Sequence, residues 1–199
     1  MISHIFGLLQ NPQQEWLKIA AESDRRIKRS FIYFIFMAML PAIGVFIGIT
    51  QTGWVIGGGD PVRITVASAI PLSVLFYGAL LGGVIFIGWM VHWMASTYNA
   101  DSFPIKSCVM MGYACSPIFL AGVLAAYPIW WVDLFLAIGA CSYAIRLIYL
   151  GLPSMMKVPE EQGFLYASAV FMVALVYVVV VLVATAILWE FVTFPVFTN

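Results

Sequence analysis

Charge is scarce in this sequence. Of 199 residues only 9% are Asp, Glu, Lys or Arg, nine basic against nine acidic, while 63% are apolar and the mean hydropathy is +1.02. A soluble domain carries about 25% charged residues, so the soluble classes are excluded and the surplus apolar surface must face lipid. The balanced charge offers no general attraction to polyanions, and no nucleic-acid partner is expected. Histidine occurs only at His4 and His92, too few for a histidine-rich metal site, and there is no H-E-x-x-H, no G-x-S-x-G and no nucleotide-binding glycine loop. The three cysteines, Cys108, Cys115 and Cys141, lie inside apolar segments, an odd count that reads as buried thiols rather than a disulfide framework. Gly57-Gly58-Gly59-Asp60 spells the G-x-G-D of intramembrane aspartyl proteases. It stands in a loop before Pro61, however, without a second intramembrane Asp at comparable depth. No catalytic residue, cofactor or metal ligand is expected, and the chain reads as a non-enzyme.

Long apolar runs, by contrast, are abundant. A helix crossing ~30 Å of hydrocarbon needs about 20 apolar residues, and five runs meet that length, at about 31–50, 67–94, 105–126, 129–149 and 165–190. Lys18, Arg25, Arg26, Lys28, Arg29, Lys106, Arg146 and Lys157 all fall on or near one side of such an arrangement, and Arg63 alone on the other. Lys and Arg accumulate on the cytoplasmic side, which puts the N-terminus inside and, with five spans, the C-terminus outside. The start, MISHIFGLLQNPQQEW, lacks the basic cap, continuous apolar stretch and cleavage site of a signal peptide and reads as part of the mature chain.

Ahead of the first span, Asn11-Pro12-Gln13-Gln14 has the form of a helix start. Trp16, Ile19, Ala20 and Ile27 recur near helical spacing with Lys18, Glu22, Arg25 and Arg29 between them. The segment 1–30 is thus expected to be a cytoplasmic amphipathic helix, either on the inner membrane surface or packed against the protein's own loops, with Arg25, Arg26, Lys28 and Arg29 among anionic head groups. Residues 31–199 form the transmembrane domain. Gly57-Gly58-Gly59-Asp60-Pro61 predicts a turn between spans one and two, Tyr127-Pro128 a tight hairpin between three and four, and Gly151–Gly163 an inner polar loop.

Within the spans, Gly44-x-x-x-Gly48 and Gly78-x-x-x-Gly82 have the spacing that lets helix backbones approach. Pro41, Pro71 and Pro117 each remove a backbone donor and predict bends. No ionisable residue stands near a span midplane, which weighs against proton- or ion-coupled transport. Tyr113, Ser116, Ser142 and Tyr143 form the main polar seam, read either as interhelical hydrogen bonding or as the lining of a route for a neutral or amphipathic molecule.

An N-terminal segment with Pro12 and Trp16, five spans, Gly112-Tyr113-x-x-x-Pro117 in the third and Tyr149-Leu-Gly-Leu-Pro153 after the fourth together resemble the Yip1 family. The likeness is to its bacterial inner-membrane branch, over Ile47–Trp54, Leu75–Gly83, Tyr113–Pro128 and Tyr149–Gly163. The resemblance implies a multi-pass protein of the bacterial inner membrane. Eukaryotic members act in vesicle traffic beside lipidated GTPases, but their long acidic cytoplasmic N-terminus is missing here. The expected architecture is therefore an all-α five-span bundle with an amphipathic N-terminal helix. Its partners are membrane lipids and other membrane proteins or a second copy of itself. The expected function is non-catalytic association, a trafficking-like or membrane-organising adaptor, with a small-solute or lipid carrier or channel as the alternative. Candidate positions are Tyr113, Ser116, Pro117, Tyr143, Arg146, Tyr149 and Pro153, with Arg25, Arg26, Lys28 and Arg29 for lipid head groups.

Overall fold

A computed structural model describes residues 2–55, 60–191 and 196–198. Two short helices come first, α1 (Ile2–Gln10) and α2 (Pro12–Ala20). Asn11 caps α2 as its sequence predicts, its side chain accepting from the Gln14 amide at 3.5 Å with Pro12 in the first helical position. The long helices follow: α3 (Asp24–Ile47), prolonged by a π-helical turn at Gly48–Thr52, and α4 (Val66–Met94), prolonged by a 3-10 turn at Ala95–Tyr98. After α5 (Pro104–Ala114) and α6 (Ser116–Ala121), a 3-10 segment, Gly122–Ala126, leads to α7 (Trp130–Met156) and α8 (Glu160–Phe191). Four of these are long and apolar enough to cross a bilayer, and α5 with α6 and its 3-10 continuation, bent by 45° at Cys115, passes the same test as a pair, as a broken span or a re-entrant loop, so the bundle has four or five crossings. The protein is an all-α polytopic membrane bundle.

The elements run longer than the apolar runs alone imply. α3 starts at Asp24 rather than near residue 31, and α7 continues through Pro153 to Met156, so the expected polar loop at Gly151–Gly163 shrinks to Lys157-Val158-Pro159 between α7 and α8. Burial explains the extension: Gly151, Leu152, Met155 and Met156 are covered by protein, so this stretch needs no lipid to hold it helical. The left-handed Lys157 (φ 51°) then ends the helix. The glycine turn expected at Gly57-Gly58-Gly59 lies outside the described residues.

The buried core sits toward one end of the bundle. It joins Phe34 of α3, Val84 and Ile87 of α4, Val109 to Ala114 of α5, Leu147 to Met156 of α7 and Tyr166 to Val170 of α8 with Ile5, Leu8, Trp16 and Ile19 of α1 and α2. This is also the end that carries Arg25, Arg26, Lys28 and Arg29, here called the basic end. Toward the far end α4, α7 and α8 expose Val74, Phe135 and Leu182. At that end β1 (Arg63–Ile64) pairs antiparallel with β2 (Phe197–Thr198), and Trp54 bridges to Val62. This small sheet ties the segment after α3 to the one that follows α8.

Lipid tails are as apolar as leucine, so helices in a membrane associate through close backbone packing and interhelical hydrogen bonds. Both devices are present. A Cβ at Gly44 would stand 2.6 Å from the Gly122 carbonyl oxygen, and one at Gly48 would overlap the Ala125 carbonyl. The first glycine pair thus seats α3 directly on the main chain of residues 122–126, and Thr52 closes the contact by donating to the Ala126 carbonyl at 2.7 Å. In the second pair Gly82 meets the Tyr177 hydroxyl, whereas Gly78 has nothing within 4 Å. Tyrosine hydroxyls supply further ties to main-chain carbonyls of other helices: Tyr77 to Ile35 at 3.1 Å, Tyr177 to Ala79 at 2.6 Å, and Tyr166 to Val91.

Candidate functional site

Proline chemistry builds the basic end. Pro12 has no N–H, so the Leu8 carbonyl at the end of α1 is deprived of its helical donor and would be orphaned. Tyr143, midway along α7, donates its hydroxyl there at 2.7 Å, with the Leu9 carbonyl 3.2 Å away. One turn further along α7 the Arg146 guanidinium lies 5.8 Å over the Tyr143 ring, where a cation also complements the negative C-terminal end of α1. α2 then packs against the last turns of α7: Trp16 is fully buried, and a Cβ at Gly151 would lie 2.5 Å from its indole. The apolar face of α2, Trp16 and Ile19, is therefore committed to α7 and the core.

The same logic governs the bend between α5 and α6. Pro117 cannot donate to the Tyr113 carbonyl four residues earlier, and the Ser116 hydroxyl takes over at 2.7 Å. Tyr113, Ser116 and Pro117 thus act as one unit that bends the chain at Cys115. The Tyr113 ring is fully buried and meets Phe34, Trp16 and His4 edge-on at centroid distances of 4.8, 6.2 and 6.3 Å. Among the described residues its hydroxyl and the Trp16 indole N–H have no hydrogen-bond partner.

Above this aromatic cluster α1, α2 and the start of α3 are cross-linked by ions. His4 places Nδ1 2.6 Å from Glu15 and Nε2 3.2 Å from Glu22, a geometry that a doubly protonated imidazolium satisfies because carboxylates only accept. Lys18 reaches the other Glu15 oxygen at 2.8 Å, and Arg26 lies 3.4 Å from Glu22. Burial by itself raises the Glu15 pKa, but the hydrogen bonds from Lys18 and His4 outweigh it and hold the carboxyl below the usual range. The two His4 nitrogens address separate carboxylates, and among the described residues no three His, Cys, Asp or Glu side chains are arranged to hold a metal ion.

The remaining candidate positions are dispersed. Tyr149 hydrogen-bonds Ser168 of α8 at 2.9 Å, and Pro153 packs on Gly163, 3.0 Å from where a Cβ would stand. Arg25, Arg26, Lys28 and Arg29 are all exposed along the first turns of α3, with Lys28 5.9 Å over the Phe103 ring. His92 is taken up by Ser102 at 3.1 Å. Among the described residues this arrangement joins no nucleophile to a base. A route along the tyrosine seam would need open space at Tyr113, Ser116 and Tyr143, but the first two are buried and the third is engaged by α1. The helical hairpin of α1 and α2 that closes this seam was not legible from composition; its signal was Pro12 followed by Trp16, whose docking partners lie more than a hundred residues away.

A family model, the Yip1 domain, matches residues 6–182, from within α1 to within α8. Inner membrane protein YohC of Escherichia coli K12 is 33% identical over 190 residues, covering 96% of this chain and 97% of the relative. The protein of the same name from an Escherichia coli O6:H1 strain matches with the same identity and coverage. No solved structure matches.

Proposed function

The chain belongs to the Yip1 family, and we propose that it acts in the bacterial inner membrane without catalysis, by associating with lipids or with other membrane proteins. On this reading it organises membrane or serves as a trafficking-like adaptor, with the basic end as its working face in the cytoplasm. The carrying observation is that four exposed cations, Arg25, Arg26, Lys28 and Arg29, occupy consecutive turns where α3 leaves the docked hairpin. The basic end also holds Lys106 and Lys157, whereas Arg63 is at the opposite end, a distribution that supports a cytoplasmic N-terminus and a periplasmic C-terminus. Each cation near an anionic leaflet contributes about 1 kcal/mol, so the four together supply a substantial local preference for acidic head groups.

The test replaces all four by Gln in the full-length chain. Wild-type and variant proteins are released from nanodiscs of mixed phosphatidylglycerol and phosphatidylcholine, and retained lipid is identified by native mass spectrometry. The wild type should retain phosphatidylglycerol in excess, and the variant should lose about fivefold of that preference for each charge removed. Equal retention of the two lipids by both proteins would sink the lipid half of the proposal.

A further inference from the structure

Behind the bend at Cys115 the bundle is not filled. A cavity of about 290 Å³ lies at mid-depth between α4, α6, α7 and α8, lined by residues such as Gly83, Ile118, Cys141, Ala174 and Tyr177. A second, of about 200 Å³, shares Leu80, Ile118 and Cys141 with the first and continues toward the far end as far as Asp133. The two share this wall and lie end to end, so that together they make a column of apolar space from mid-bundle toward the far end, where Trp130 and Trp131 stand exposed. Its walls are almost wholly apolar, and the Tyr177 hydroxyl at its side is already engaged by Ala79.

Such a space holds water poorly. Water in a cavity needs two to four polar partners, and an apolar cavity of ~150 Å³ stays dry yet takes up benzene. The upper cavity alone is about twice that size. The column is also continuous with the lipid-facing surface of the bundle: Cys141 lines both cavities and is itself exposed, and Val178, beside Tyr177, belongs to the exposed face of α8. At this depth in a bilayer the only available solvent is hydrocarbon.

We propose that this column is a binding site for one acyl chain of a phospholipid of the far leaflet, the head group remaining at the Asp133 end. The bend at Tyr113–Pro117 creates the site, because it carries α6 and the 122–126 segment onto Gly44 of α3 and Gly48 of the π-helical turn that prolongs it, and leaves the space behind Cys115 unfilled. The inference deepens the lipid-association reading and rests on it only for the chain being embedded in a bilayer. It does not involve Arg25 to Arg29.

The test uses the full-length chain in phosphatidylcholine proteoliposomes containing a phosphatidylcholine with a diazirine midway along one acyl chain. After illumination, adducts are mapped by peptide mass spectrometry. Adducts should concentrate on 115–119, 141–148 and 171–178. They should fall about tenfold in Ala174→Phe, which fills the upper cavity, an effect equal to about 1.4 kcal/mol of lost burial. Gly139→Phe, on an open surface where a Cβ meets nothing within 4 Å, should leave them unchanged. So should the four-Gln variant of the basic end, which separates failure here from failure of the head-group reading. Ala140→Phe, in the lower cavity, replaces Ala174→Phe if that variant does not fold. Adducts spread evenly along the exposed helix faces, or undiminished in a folded cavity-filled variant, would overturn the proposal.

Discussion

Tyr143→Phe isolates the hydroxyl that fastens α1 to the bundle. The ring stays under Arg146, so packing and the cation–π contact are retained, and only the hydroxyl that donates to Leu8 and lies 3.2 Å from the Leu9 carbonyl is lost. Leu8 is fully buried, and Pro12, which follows it by four residues, has no N–H to offer in replacement. A buried carbonyl stripped of its partner costs about 1–3 kcal/mol. If the hairpin opens as a local unit, that loss lowers its opening free energy directly and should raise amide exchange in α1 and α2 by about 5- to 150-fold. The assay is hydrogen exchange by mass spectrometry on the full chain in nanodiscs. Exchange should rise in residues 2–20 and in 147–156, the part of α7 that α2 covers, while α8 beyond residue 175 keeps wild-type rates. Unchanged exchange would mean that the hydroxyl does not hold the hairpin. A uniform rise through every helix would mean that α1 and α2 do not open as a separate unit, and either result refutes the reasoning.

Other consequences can be checked with similar means. Ser116→Ala should lower thermal stability in detergent by about 1–3 kcal/mol by orphaning the Tyr113 carbonyl, but should cost much less on a Pro117→Ala background, where residue 117 regains the N–H that serves it. Gly48→Leu should be destabilising by about 1–3 kcal/mol or prevent folding, since its side chain meets the Ala125 carbonyl, whereas Gly139→Ala should be neutral or stabilising by up to ~1 kcal/mol. Glu15 is held below its unfolded pKa, and a depressed carboxylate contributes stability above the unfolded value that is lost as pH falls through the folded one. Exchange in α1 and α2, corrected for its intrinsic pH dependence, should therefore rise as pH falls through and below the usual carboxylate range, and Glu15→Gln should flatten that rise. A periplasm-dependent enzyme reporter fused after Asn199 should be active and a cytoplasm-dependent fluorescent one dark; the reverse would invert the proposed orientation.

What the sequence makes legible here is what lipid demands of it. Five runs long enough for the hydrocarbon, the cluster at Arg25 to Arg29 and the close-packing role of Gly44 and Gly48 follow from composition and spacing alone. Helix faces do not. In a soluble helix the polar side declares which side is buried, but α4 and α8 are apolar all round, so nothing in Val66–Met94 separates buried Val84 from lipid-facing Phe86. For the same reason the cavity behind Cys115 leaves no mark on the sequence, its walls being the same residues that would face a membrane. The end of α7 misleads in another way. Leu152 to Met156 reads as the edge of a loop because Pro153 stands in it, yet Trp16, far off in sequence, covers Gly151 and keeps the helix going. Pairings such as Arg63 with Thr198 are equally invisible, because two-residue strands carry no periodicity to read.

The candidate positions acquire meaning once each proline is paired with the carbonyl it deprives. Pro117 deprives Tyr113, and the Ser116 hydroxyl answers; Pro12 deprives Leu8, and the Tyr143 hydroxyl answers. In both cases a helix is interrupted at a fixed place and a side-chain hydroxyl makes the interruption affordable inside an apolar bundle, where an unsatisfied carbonyl is most costly. The first interruption turns α6 and the 122–126 segment toward α3. The second lets α1 and α2 fold back over the Tyr113 ring and seal the other side. Tyr113 therefore sits at the partition between the packed basic end, with its exposed cations, and the open apolar space behind Cys115.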